Sequence, residues 1–357
     1  MTPRRVLVTG GAGFVGSALA LRARAEWPDA DIVALDNLRR RGSELNIPRL
    51  RDAGVTFLHG DIRSASDLAG VGNSLDLLLE CSAEPSVLAG YDGDPSYVVD
   101  TNLGGTVHCL ELARRTGAAM LFLSTSRVYP IAALNDIATT TSATRFEIAP
   151  AQSLPGISPA GIDDDFPLRG ARSIYGATKL ASELLIAEYR DAFGLRAIID
   201  RCGVIAGPWQ MGKADQGVFS LWMARHLRGG TLTYNGWDGT GKQVRDLLHV
   251  DDLADLVMTQ VARLDDLDGA TFNVGGGRAC SLSLQETTDI CREITGREIP
   301  ITPVAETRQA DIKLYVTDNT RVTAATGWAP RRTPHDVLHD LHAWMTTHAD
   351  ALQRAGV

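Results

Sequence analysis

The stretch Val6-Leu7-Val8-Thr9-Gly10-Gly11-Ala12-Gly13-Phe14-Val15-Gly16 decides how the rest of the chain is read. A short apolar run passes without a break into glycines at 10, 13 and 16, and helix-forming residues follow. A strand therefore meets a helix across a turn where any side chain would block close approach to the backbone. The first turn of that helix offers free N–H groups and the positive end of a dipole, which together attract a pyrophosphate. Glycines alone are a weak signal, and a dinucleotide site also needs an acid about 20 residues on, at the end of the second strand. Asp36 closes Ile32-Val33-Ala34-Leu35 and stands there. Its carboxylate can accept both ribose hydroxyls and repels a 2′-phosphate, so NAD is expected over NADP. Arg39, Arg40 and Arg41 follow closely and are read mostly as a solvated turn. Gly60-Asp61-Ile62, after the third strand, is placed either to hydrogen-bond an adenine amino group or to make a plain strand-end turn.

Outward from this stretch, apolar runs of three to six residues alternate with amphipathic stretches of helical period. The runs are 6–9, 32–35, 56–58, 75–80, 120–124 and 197–202, with helical candidates over 13–24, 103–116 and 175–193. Alternation of this kind predicts β-α units, hence an α/β protein with a doubly wound parallel sheet (Rossmann fold) and a smaller mixed α/β substrate lobe. The nucleotide-binding domain is expected over 1–206 plus 244–274, with 131–170 as an irregular insertion, and the lobe over 207–243 plus 275–357. A structureless passage of that length in a compact domain is usually functional or mobile.

The bulk composition narrows the class. With 357 residues and 44% hydrophobic content the chain can bury one large core, or that core and a small lobe. A net charge of -8 offers no broad positive field, so no nucleic-acid partner is expected. No apolar run reaches the roughly 18 residues that span a bilayer, and the one behind Arg4 and Arg5 is too short for a signal peptide. The cytoplasm is the expected compartment. The five cysteines are odd in number, widely spaced and without a C-x-x-C pair, and read as buried apolar residues. His335, His339 and His342 share a helix with Val337, Leu338, Leu341 and Trp344, with no cysteine or carboxylate set to complete a cage, so no metal is expected.

Tyr175-Gly176-Ala177-Thr178-Lys179 opens a strongly helical segment, which puts Tyr175 and Lys179 on one face. An ammonium beside a phenol favours its ionised form, so such a tyrosine can take a proton from a hydroxyl near neutral pH while hydride leaves the same carbon. On its own, Y-x-x-x-K is more often a surface pair. Here it follows the dinucleotide stretch and the strand end Ser124-Thr125-Ser126.

Together these pieces resemble the extended short-chain dehydrogenase/reductase family, the NAD-dependent nucleotide-sugar epimerases and dehydratases. The matching segments, in order, are GGAGFVG from 10, Asp36-Asn37, Gly60-Asp61-Ile62, Asn102-Leu-Gly-Gly-Thr106, Ser124-Thr-Ser-Arg-Val-Tyr129, Tyr175-Gly-Ala-Thr-Lys179, Arg245 to Asp252, and Arg308-x-x-Asp311. The resemblance implies catalysis by Thr125, Tyr175 and Lys179, with Lys179 also gripping the nicotinamide ribose. It implies cofactor contacts from Gly10, Gly13, Phe14, Val15, Gly16, Asp36, Asn37, Arg40, Asp61, Ile62, Ser82, Ala83, Asn102 and Cys202 as well. On the substrate side it implies Glu84, Ser126, Arg127, Arg201, Gln216, Gly217, Arg245, Arg308 and Asp311, with Arg245 and Arg308 facing the substrate diphosphate. In the family, helices such as 103–116 and 175–193 pair across a homodimer.

Dehydratases and decarboxylases of the family resemble one another in carrying an acid just after the catalytic Thr or Ser. This chain has Ser126 and Arg127 there, which leaves epimerisation or plain oxidoreduction. Arg201-Cys202-Gly203 departs from the aromatic and asparagine usual in sugar 4-epimerases. Thr144-Arg145-Phe146, Gly161 to Asp165 and Asp215-Gln216-Gly217 look like the CDP-paratose 2-epimerase (CDP-tyvelose epimerase) branch. Glu84, in Cys81-Ser82-Ala83-Glu84-Pro85, is placed either to touch a sugar hydroxyl or to cap a turn. The competing readings are a UDP-sugar 4-epimerase, a nucleotide-sugar dehydrogenase or dehydratase, and a sensor that binds NAD(H) without turnover. Trp209, Met211 and Trp222 offer either a platform for a pyrimidine or core packing.

Overall fold

Seven short apolar strands lie parallel in one sheet: β1 (Arg5–Thr9), β2 (Asp31–Asp36), β3 (Thr56–His59), β4 (Leu77–Glu80), β5 (Ala119–Thr125), β6 (Ala197–Cys202) and β7 (Thr271–Val274), in the spatial order β7-β6-β5-β4-β1-β2-β3. This is a computed structural model of the chain, and it describes residues 1–91, 93–211 and 217–356. Successive side chains of a strand point to opposite faces, so a strand apolar throughout must be covered on both. In β1, Val6 and Val8 pack with Leu19 and Ala20 of α1 (Phe14–Glu26) and with Leu253 and Val257 of the helix Val250–Ala262. Leu7 faces the other way, into Leu110 and Ala113 of α2 (Gly105–Thr116) and Ile186 of α3 (Ile174–Phe193). Each such fully buried aliphatic side chain contributes about 1.5–3 kcal/mol. The doubly wound sheet expected from the alternation is therefore present, and its order reverses between β1 and β4, which opens a crevice at their carboxyl ends.

The chain from 131 to 170 is irregular over most of its length but not throughout. It forms a short helix (Ile131–Asn135) and two small hairpins, Thr139–Thr141 with Phe146–Ile148 and Ile157–Ser158 with Gly161–Ile162. Strands of two or three residues are too short to show alternation, which is why the sequence reads as a loop there. The Phe146 N–H donates to Lys242 O at 3.0 Å and the Ile162 N–H to Val316 O at 2.8 Å, so the insertion is pinned to the second lobe.

That lobe has its own sheet, in which Val244–His249 pairs with Val204–Ala206, Ser281–Ser283 and Leu314–Tyr315. Its core joins Phe219, Trp222, Met223, Leu338 and Leu341. The division expected from the sequence needs correction on two counts. The strands 204–206 and 244–249 belong to the lobe's sheet, while Val322 and Trp328 return to the core of the nucleotide domain. Among the described residues no helix is long and apolar enough to cross a membrane.

Candidate active site

A cleft of about 760 Å³ opens at the carboxyl ends of the central strands. Gly10, Gly13, Phe14, Val15 and Gly16 line one end of it. The glycines are needed there. Gly10 adopts φ +62°, and a Cβ on Gly16 would stand 2.0 Å from the Gly10 carbonyl oxygen, so α1 sits directly on the turn. Gly13 caps α1 without a side-chain hydrogen bond, which leaves the first-turn N–H groups to a ligand.

Asp36, 8% exposed, accepts from the Ala12 N–H at 3.1 Å and from the Leu38 N–H at 2.7 Å, so its carboxylate is held at the strand end where ribose hydroxyls would arrive. Burial raises its pKa, and those N–H groups pull it back. Asn37 Nδ2 donates to Asp61 at 2.9 Å, and the Arg63 guanidinium holds the Asp61 carboxyl down at about 2. Ile62, Ser82 and Ala83 also line the cleft, as does Cys202, which lies in register with Thr125. The residues fit a dinucleotide: a glycine cradle for the pyrophosphate, an open helix end, and an acid on the second strand.

Arg39 and Arg41 are exposed, as a solvated turn implies, and all three arginines also have partners. The Arg39 guanidinium lies 3.8 Å over the Tyr97 ring, Arg40 donates to Met211 O, and Arg41 donates to Ala355 O. Tyr97, Ser43 and Asn46 line the cleft and were not singled out in the sequence. Asn46 Nδ2 donates to Ala12 O at 2.9 Å, tying its helix to the glycine turn. No motif announces these residues, because the fold brings them to the cleft from unrelated segments.

At the other end, Thr125 and Tyr175 face the same space. Gly176 explains how they come together: a Cβ there would meet the Arg127 carbonyl oxygen at 2.1 Å, so α3 presses against the turn that follows β5. Ser173 caps α3 by accepting from the Gly176 N–H at 3.1 Å, fixing where the helix begins. Tyr175 is 9% exposed, and burial pushes its phenol up to about 12, against the Thr125 hydroxyl hydrogen-bonded to it and the nearby Arg127 charge. Lys179 departs from expectation. It is 2% exposed, does not line the cleft, and rests its ammonium 4.0 Å from the centroid of the Phe122 ring. Arg127 is a cation that acts on Tyr175 in this structure.

The substrate candidates separate clearly. Glu84, Ser126, Arg127 and Gly217 line the cleft. Glu84 lines the cleft and also caps a turn, its carboxylate accepting from the Ser86 N–H at 3.3 Å. Asn102 is not in the wall but behind it. Its Oδ1 accepts from the Glu84 N–H at 2.7 Å and its Nδ2 donates to Thr178 at 3.2 Å, so it fixes the Glu84 turn against α3. Arg201 lies outside the cleft, paired with Glu183; alternation along β6 turns it away from the face that Cys202 presents. Arg245 is half-buried against Asp311 at 2.9 Å and Ile312 O at 2.6 Å, and Arg308 is exposed; neither they nor Asp311 line the cleft. Arg127 donates to Ala310 O at 3.3 Å, so Arg127, Arg245 and Asp311 converge on one loop at the cleft's edge. Asp215 and Gln216 lie outside the described residues. Trp209 and Met211 line the cleft, with Arg49 3.9 Å from the Trp209 ring, whereas Trp222 is buried and donates to Thr288.

Comparison with known proteins gives the same picture. The model of the NAD dependent epimerase/dehydratase family matches residues 6–275. The chain is 28% identical to CDP-paratose 2-epimerase of Salmonella typhi, with 96% of this chain and 99% of that protein covered. It is 29% identical to a dTDP-glucose 4,6-dehydratase of Streptomyces griseus over 96% of this chain and 94% of the relative. The crystal structure of Thermus thermophilus UDP-glucose 4-epimerase in complex with NAD superposes with a TM-score of 0.76 at 26% identity, covering 96% of this chain and 99% of that one.

Proposed function

The chain belongs to the NAD-dependent epimerase/dehydratase family, and on that footing we propose that it is an epimerase of a nucleotide-diphosphate sugar, with C2 of a CDP-linked sugar as the leading candidate. NAD, when bound, supplies what no side chain can, a hydride acceptor that becomes the hydride donor. The protein's own groups handle the proton and the orientation. Tyr175, in the phenolate form that Thr125 and Arg127 favour against its burial, takes the proton of the sugar hydroxyl, Thr125 fixes the reacting oxygen, and the flat keto-sugar then presents its other face while the proton returns from Tyr175.

The observation that carries this reading is the convergence of Thr125 and Tyr175 on one cleft whose next residues are Ser126 and Arg127. Loss of water beyond the oxidised carbon needs an acid in that place, and a guanidinium is not one. Of the carboxylates in the wall, Asp36 and Asp61 stand at the ends of β2 and β3, which leaves Glu84 to meet a sugar hydroxyl. Arg127, which lines the cleft, offers a cation suited to a diphosphate, and Trp209 with Met211 offers an apolar wall for the base. Two copies are taken to pair through α2 and α3, where Leu184 is 63% and Phe193 56% exposed.

The test is incubation of the purified chain with CDP-, dTDP-, UDP- and GDP-linked sugars, followed by proton NMR. One inverted stereocentre with no net change in NADH absorbance supports the proposal. A 4-keto-6-deoxy product, or NADH that accumulates with substrate, contradicts it in favour of a dehydratase or a dehydrogenase.

A further inference from the structure

Glu80 ends β4 at 0% exposure, in register with Thr9 on one side and Phe122 on the other. One of its oxygens accepts from Thr106 Oγ1 of α2 at 2.7 Å, while Oε2 is buried without a hydrogen-bond partner among the described residues. An unpaired carboxylate oxygen in a sealed core is costly unless a charge answers it. The ammonium of Lys179 comes from α3 to lie over the ring of Phe122, the residue in register with Glu80, without ion-pair contact to the carboxylate. An aromatic face attracts a cation but carries no net charge.

We propose that Glu80 is a positioning residue for Lys179, a buried carboxylate that fixes where the ammonium rests beneath the cleft and keeps it protonated there. The groups facing the ammonium are few. Glu80 stands on β4, Cys81 follows it, Cys202 ends β6 and Glu183 lies one turn on along α3. Cys109 on α2 faces Glu80. Burial pushes the thiols upward, so they are neutral, and Glu183 is already committed to Arg201 at 2.7 Å. Glu80 is the remaining anion. Burial lowers the lysine pKa and Glu80 opposes the fall, while the carboxyl itself is pushed up to about 7 with Lys179 opposing that rise. Each group thus stabilises the other's charge. Lys179 is thereby held charged within one helical turn of Tyr175 without entering the cleft.

The catalytic consequence rests on reading Tyr175 and Lys179 as a reacting pair; the charge relation does not. The experiment therefore reads the lysine itself. The chain has only four lysines, at 179, 213, 242 and 313, so carbon-13 labelling of lysine gives four side-chain signals, and Lys179→Arg assigns one of them. The full-length protein is titrated as purified, without substrate. In Glu80→Gln the Lys179 signal should titrate at least about one pH unit lower than in the wild type. Thr106→Val, which removes a hydrogen bond but no charge, should leave it near the wild-type position. Should Glu80→Gln not fold, Glu80→Asp, with its shorter reach, should move the signal in the same direction by less. Identical titration of Lys179 in the wild type and the carboxylate variant that folds would overturn the proposal, whatever sugar the enzyme acts on.

Discussion

Arg201 and Glu183 meet in a buried, two-pronged ion pair behind the cleft, with Nη2 2.7 Å from Oε2 and Nε 3.2 Å from Oε1. Glu183 also accepts from the Ser124 hydroxyl, and Arg201 donates to the Tyr129 hydroxyl at 3.3 Å. Tyr129 in turn donates to Asn273 at 2.7 Å, so the pair links β5, β6, β7 and α3. An arginine so committed has little left to give a substrate.

Arg201→Ala should therefore cost stability rather than affinity. Removing one partner of a buried pair strands the other, at about 3–5 kcal/mol. Calorimetry should show the midpoint falling while KM for the sugar nucleotide stays near the wild-type value. A raised KM with an unchanged midpoint would return Arg201 to the substrate site.

Gly176→Ala tests how Tyr175 is placed. The added Cβ would meet the Arg127 carbonyl at 2.1 Å, so α3 must move away from the turn that carries Thr125. Overpacking of this kind costs about 1–3 kcal/mol, and a shift near 1 Å at the reacting groups can lower kcat about a hundredfold. NAD affinity should change much less, since Gly176 is not in the cofactor wall. Equal losses in kcat and in NAD binding would contradict this account.

The phenol of Tyr175 gives a pH signature. Burial holds it at about 12 against an ordinary value of 10.0, and a raised acid favours the folded state below its unfolded pKa. That contribution is complete below pH 10 and is lost as pH rises from 10 to about 12. The ultraviolet titration of the wild type minus that of Tyr175→Phe should show one phenol ionising late. Tyr175→Phe should also lower turnover by about 10²–10⁴-fold, the usual share of a general acid or base. A difference spectrum that titrates near the ordinary phenol value would show the site to be open to water.

The parts of this molecule legible in its sequence are those whose function dictates local chemistry. The glycine turn and Asp36 could be read because close backbone approach and ribose binding each demand a residue type at a fixed spacing. Thr125 and Tyr175 could be read from one strand end and one helix start. Arg201 was misplaced because a resemblance carries a residue's presence but not which face of β6 it occupies. Lys179 sits on the expected helix, yet its resting point depends on Glu80, which arrives from a different strand. Tyr97, Ser43 and Asn46 reach the cleft only through the fold, and the hairpins within 131–170 are too short for periodicity to reveal.

Asp36 should govern the choice of cofactor. Arg39, Arg40 and Arg41 are engaged by Tyr97, Met211 and Ala355, so none stands ready for a 2′-phosphate. Calorimetric titration should find NADP at least about tenfold weaker than NAD, in keeping with about 1.5–3 kcal/mol for a hydrogen bond to a charged group. Asp36→Ala should weaken NAD and narrow that gap. Equal affinity of the wild type for both dinucleotides would show that the acid does not discriminate.

The central claim is that hydrogen leaves one sugar carbon as hydride and returns to that same carbon from the opposite face. Turnover in deuterated water measures it directly, with proton NMR and mass spectrometry of the inverted sugar. No solvent deuterium should appear at the inverted carbon. One deuterium incorporated there per inversion would mean that a proton was removed and replaced from solvent, and would contradict it.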